Sequence, residues 1–136
     1  MSVDELVPGM SVEAFRVFSE GDLAAFRALA PDAAPLHADP EFARRQGYSD
    51  VVVFGLLVAA PFSGLLGNRL PGPLTVLHWV RVGMAAPVYV GDEIAYRVEV
   101  KQVSSSTGAI VLELTATRVA SGEVVLRGQA QCGFRP

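Results

Sequence analysis

Apolar and polar residues alternate most cleanly in the C-terminal half of the chain. Ile94, Tyr96, Val98 and Val100 alternate with Glu93, Arg97, Glu99 and Lys101, and Ile110, Leu112, Leu114 and Ala116 with Glu113, Thr115 and Thr117. A third set, Val124, Leu126, Gly128, Ala130 and Cys132, faces opposite Val125, Arg127, Gln129 and Gln131. Period two marks strands with one packed and one wet face. The turn clusters at residues 104–108 and 121–122 make these three strands an antiparallel meander. Residues 74–82, rich in β-branched and aromatic side chains, add another strand, and residues 12–18 a less regular one.

Between these strands the period changes. Ser19, with Asp22 three residues on, forms a capping box that opens a helix. Leu23, Phe26, Ala30 and neighbouring Leu29 fall on its apolar face, and Pro31 ends it. Asp39 is the N-cap of a short second helix, with Pro40 at its first position and Gly47 as its stop. Residues 51–68, VVVFGLLVAAPFSGLLGN, carry no charge and are apolar on every side, the pattern of a helix buried all round. Pro61 should kink or divide it. A curved antiparallel sheet wrapped around one long buried central helix, an α+β fold, satisfies this order.

The chain has 136 residues, the size of one ordinary domain spanning 1–136. It is 51% hydrophobic and only 18% charged, too apolar for a disordered chain. The net charge of −3 and the single lysine, Lys101, argue against a nucleic-acid partner, which needs clustered cations. Residues 51–68 are about long enough to be tested as a membrane span. Their glycines and Pro61, with no flanking lysine cluster, favour burial within the fold. Asp4 and Glu5 stand where a secretory signal would carry lysine or arginine. One cysteine, Cys132, excludes an internal disulfide framework and suits a reducing, cytoplasmic setting.

The chain has two histidines. His37 lies five residues after Asp32 in APDAAPLHADP, a loop stiffened by Pro31 and Pro35. A carboxylate and an imidazole on one rigid loop can share a water molecule, one taking its proton while the other supplies one. On spacing alone the plainer account is the stronger, with Asp32 a turn residue and His37 a surface residue. His78, beside Trp79, reads first as a half-buried strand residue, and Arg44, Arg45 and Arg69 as solvated arginines that would suit the phosphates of a carrier. No Walker, Rossmann or metal-ligand spacing occurs, which leaves no metal and no cofactor in view.

The surrounding residues add more. Residues 26–67 resemble the (R)-specific enoyl-CoA hydratases and the wider MaoC-like dehydratase family. That family's motif reads aspartate, any residue, asparagine, proline, aliphatic, histidine, with an alanine six residues later. A histidine-glycine pair further on opens a buried helix. Here the run is Asp32-Ala33-Ala34-Pro35-Leu36-His37, then Ala43, then Phe54-Gly55-Leu56-Leu57. FSGLLGNRLPG at 62–72 and PVYVGDE at 87–93 also look like the short-chain hydratases. The resemblance implies a hotdog fold, usually a homodimer. It also implies addition of water to, or its removal from, the 2,3 double bond of an acyl thioester carried by CoA or acyl-carrier protein, with no other cofactor. Asp32 and His37 match the catalytic pair that activates the water and handles the α-proton, with either of them open to the role of base. Gly55 matches the amide that holds the thioester oxygen, with Phe54 beside it. Ser63, with Leu66 nearby, matches a position lining the acyl end; as plain packing, Ser63 is a small residue that lets helix and sheet approach.

Three positions depart from the pattern. Ala34 replaces the asparagine, Phe54 the histidine, and Pro31 a frequent glycine. Loss of the two polar groups implies a drier site, which leaves open a tailoring dehydratase or cyclase working on a larger substrate. A hotdog thioesterase generally carries a carboxylate on the central helix, and residues 51–68 hold none. A binding subunit without chemistry would not need the Asp32–His37 pair.

Overall fold

The computed structural model describes residues 2–135. Its strands are β1 (Ser11–Val17), β2 (Thr75–Met84), β3 (Glu93–Val103), β4 (Ala109–Arg118) and β5 (Val124–Phe134). They form one antiparallel sheet in the order β1-β3-β4-β5-β2, so the expected meander occupies its centre. Ile94, Tyr96, Val98, Val100, Ile110, Leu112, Leu114 and Ala116 are all fully buried, as the alternation requires. Large residues stand opposite small ones across this face: Tyr96 pairs with Ala116, Leu112 with Ala130 and Leu114 with Gly128. That pairing leaves room on the concave side for a helix. A Cβ at Gly128 would collide with the Arg81 carbonyl and the Val82 backbone, so only glycine lets β2 approach β5 there.

The helices follow the predicted caps. α1 (Glu20–Leu29) opens with the Ser19–Asp22 box, the Asp22 amide donating to Ser19 Oγ at 3.1 Å and the Ser19 amide to the Asp22 carboxylate at 2.9 Å. α2 (Pro40–Arg45) is capped by Asp39, which accepts from the amides of Glu41 and Phe42. Gly47, at φ +95°, ends it in the left-handed region. One expectation for α1 fails. Leu23 is buried and Phe26 packs against the core, but Leu29 is 83% exposed, because the last turn of this surface helix lies beyond the core.

The central apolar run is extended through residue 54. It then becomes helical in three consecutive pieces: α3 (Gly55–Ala59), α4 (Pro61–Gly64) and a π-type turn over Leu65–Arg69. Pro61 divides it as expected. It has no N–H to offer the Leu57 carbonyl, which takes the Ala60 amide at 3.1 Å instead. Tyr96 reaches across from β3 to donate its hydroxyl to the Val58 carbonyl at 2.6 Å, and its ring meets Phe62 edge-on at 5.1 Å. Burial all round is the expectation that needs correcting. Val58, Phe62, Leu65 and Leu66 are buried against the sheet, but Leu56 is 70% exposed, and Ser63 and Gly67 also face outward. Both sides of the helix are apolar, and within one chain only one is covered. Among the described residues no helix is long and apolar enough to cross a membrane.

Candidate active site

The loop between α1 and α2 is built from short-range bonds. The Asp32 carboxylate accepts from the Ala34 amide at 2.9 Å, an Asx turn, and residues Pro35–His37 make one 3-10 turn. The loop is fastened to the extended stretch before α3 through a single residue. The Val52 amide donates to the Leu36 carbonyl at 3.1 Å, while the Val52 carbonyl meets His37 Nδ1 at 2.6 Å. A carbonyl only accepts, so Nδ1 carries the proton, and in the neutral ring Nε2 is left as the acceptor. On the other side, the Val53 amide donates to the Val88 carbonyl at 2.8 Å, which ties the stretch to the β2–β3 connection. That connection is held in turn by Arg118, which pairs with Asp92 and donates to the Pro87 carbonyl.

These attachments enclose a cavity of about 310 Å³ that has both His37 and Gly55 on its wall, with Val52, Val58, Tyr48, Met84 and the stretch 85–88 completing it. The ladder of α3 begins with the Val58 amide donating to the Phe54 carbonyl at 2.9 Å, so the Gly55 amide precedes it and has no partner within the helix. A Cβ at Gly55 would stand 3.2 Å from Met84 Cε, so a side chain there would press on the cavity wall. The site therefore sets an imidazole whose Nε2 is left as acceptor and the first residue of a helix, Gly55, on the walls of one small, largely apolar space. Among the described residues no group of three or more His, Cys, Asp or Glu side chains is placed to hold a metal ion.

The other expected site residues lie elsewhere. Asp32 is half-buried on the same loop as His37 but does not line this cavity. Ser63 and Leu66 line two smaller apolar cavities, about 180 and 170 Å³, further along the helix; they share Leu77 of β2 as a wall. Phe54 lines none of these cavities. It is 2% exposed and packs behind His37, with ring centroids 4.3 Å apart. His78 sits at a bulge in β2, with its ring over Gly133 and Nδ1 2.9 Å from Gln131 Nε2, and it is exposed rather than half-buried. Arg44 and Arg45 are exposed, and Arg69 donates to the Glu13 carbonyl at 2.9 Å. Sequence reasoning missed Arg27, whose Nη2 donates to the His37 carbonyl at 3.1 Å, and it missed Val52 and Met84. Val52 acts through its main chain, and Met84 through a packing contact, so neither leaves a residue-type signal.

Comparison with known proteins follows this geometry. The family described as "MaoC like domain" matches residues 5–122. An (R)-specific enoyl-CoA hydratase of Aeromonas caviae is 36% identical over 133 residues, covering 93% of this chain and 98% of that protein. A mitochondrial 3-hydroxyacyl-[acyl-carrier-protein] dehydratase of Solanum lycopersicum is 30% identical over 123 residues, covering 90% and 73%. Among solved structures, an (R)-hydratase from A. caviae involved in PHA biosynthesis superposes with a TM-score of 0.89 at 32% identity, covering 96% of this chain and 98% of that one.

Proposed function

The chain belongs to the MaoC-like family, and from that premise we propose that it is a hydro-lyase that adds water to enoyl thioesters or removes it from (R)-3-hydroxyacyl thioesters. The observation that carries this reading is the shared cavity, with a free imidazole nitrogen on one wall and an unpaired helix-opening amide on another. Hydration puts the water oxygen on C3 and a proton on C2, and negative charge builds on the thioester oxygen in between. In this reading the Gly55 amide holds that charge, and one such donor lowers the barrier by roughly 3 kcal/mol. The same reading makes His37, on the cavity wall, and Asp32, on the same loop but off that wall, the pair that takes the water's proton and delivers one to C2. Val58 and Met84 give the cavity apolar walls, and the groove past Ser63 and Leu66 takes the acyl tail.

In this reading the whole chain works as one hotdog domain in the cytoplasm, with no cofactor beyond the substrate's own CoA or carrier-protein thioester. It works as a homodimer. β2 is an edge strand ten residues long, paired on one side only with β5, that exposes Leu77, Trp79, Val80 and Met84, next to exposed Leu56 on α3. An edge of that length and apolarity needs a partner, and a second copy of β2 supplies one.

The test is to follow loss of the conjugated enoyl-thioester absorbance with crotonyl-CoA and the purified protein. Asp32→Asn and His37→Ala should each lower kcat about 10³-fold while leaving the thermal unfolding curve almost unmoved. Turnover that survives both substitutions would sink the reading.

A further inference from the structure

A hydrogen bond holds His37 at one atom, and one point of attachment does not fix a plane. With Nδ1 anchored on the Val52 carbonyl, the imidazole could still tilt and swing Nε2 away from the cavity. The second constraint is Phe54. Its ring lies against the imidazole with centroids 4.3 Å apart and planes tilted by 31°, a close aromatic contact.

Phe54 is itself braced. Phe26 packs on it at 4.8 Å, and the Arg27 guanidinium carbon stands 5.8 Å from its centroid. Arg27 also donates to the His37 carbonyl at 3.1 Å, so one side chain grips both members of the pair. Phe54 immediately precedes Gly55. The ring that lies on the imidazole and the peptide group that presents the Gly55 amide therefore belong to the same residue, and the Phe54 carbonyl closes the first helical turn through the Val58 amide at 2.9 Å.

We infer that Phe54, braced by Arg27, is a positioning residue: its flat face sets the direction of His37 Nε2 relative to the Gly55 amide. This rests on the reading of His37 as a proton-handling residue. Bulk alone does not do the work, because an aliphatic side chain fills the space without offering a plane. A displacement of the reacting nitrogen by about an ångström costs on the order of 10²-fold in rate.

The experiment compares Phe54→Leu, which keeps apolar bulk and removes the ring, with Phe54→His, which keeps a flat ring. In the crotonyl-CoA assay, F54L should lower kcat about 10- to 100-fold with KM held within about twofold, and F54H should restore most of the loss. A purely packing role would lower the melting temperature and leave kcat per folded molecule unchanged. That result, or an F54H as impaired as F54L, overturns the inference. If F54L does not fold, Arg27→Met on the exposed helix carries the test: kcat should fall several-fold at constant KM, and an unchanged kcat overturns the arrangement. His37→Ala separates the two failures. An active H37A removes the reading of His37 itself, whereas an inactive H37A beside a fully active F54L removes only the role of Phe54.

Discussion

The two flanks of the central helix are equally apolar and fare differently. On the flank facing the meander, Phe62 and Leu65 join Tyr96, Val98 and Leu112 in one buried core. On the flank facing β2, Leu56 stands 70% exposed and Val80 50%, and the space between helix and strand stays open as cavities. The first flank is completed by its own chain. The second is left open within one chain, and it is the flank on which the proposed dimer contact and the proposed acyl groove both lie. Stability and function are thus divided between opposite sides of one helix, and each side can be disturbed alone.

The largest effect is expected on the closed flank. Leu112→Ala removes a fully buried side chain from the middle of the meander and should cost about 2–5 kcal/mol in denaturant unfolding, with kcat per folded molecule unchanged. A loss below about 1 kcal/mol would show that stability does not reside there. Next comes the open flank. Val80→Glu places a charge on the exposed edge strand and should weaken the homodimer at least about tenfold in sedimentation while the monomer keeps its native circular dichroism. An undisturbed dimer would move the interface off β2.

The smallest effect is alkaline. Burial pushes the Cys132 thiol up to about 11 from 9.0, and burial also holds the Tyr96 phenol above its ordinary value. From about pH 9 upward the unfolded chain releases protons that the folded chain keeps. The folded state then binds more protons than the unfolded one, so stability is whole below pH 9 and falls between about 9 and 11. Urea midpoints at about pH 8 and about pH 10 measure the slope. Cys132→Ala should flatten it, and an unaltered slope would assign the effect to Tyr96 on the closed flank.

What the sequence made legible follows the same division. Most of the meander could be read from alternation, because a strand with one buried face writes its burial into alternate positions. The pattern fails at the start of β5, where Val125 and Leu126 are both buried beside a shift in register. The caps at Ser19 and Asp39 and the break at Pro61 were equally plain, since each rests on a local backbone group. The motif picked out Asp32, His37 and Gly55, but not how His37 is held. Its anchor is a main-chain oxygen fifteen residues away, which no side-chain pattern encodes. Phe54 reads in the sequence as a lost polar group beside the thioester site, whereas in the fold it is the surface behind the imidazole. The open flank was hidden for a simpler reason. A residue buried by its own chain and one awaiting a second chain look alike in composition.

The Val52 peptide bears on how such a site can change over time. It fastens the loop through its N–H and anchors His37 through its C=O, while the residue also lines the cavity. Alignment of the imidazole is therefore inherited from the backbone and is indifferent to which side chain position 52 carries, provided that residue keeps an amide hydrogen and an extended conformation. Proline is barred; most other residues are not. Lineages can reshape the space offered to a substrate at this position without disturbing the reacting groups, so that what the cavity admits and how the chemistry is aligned evolve on separate tracks.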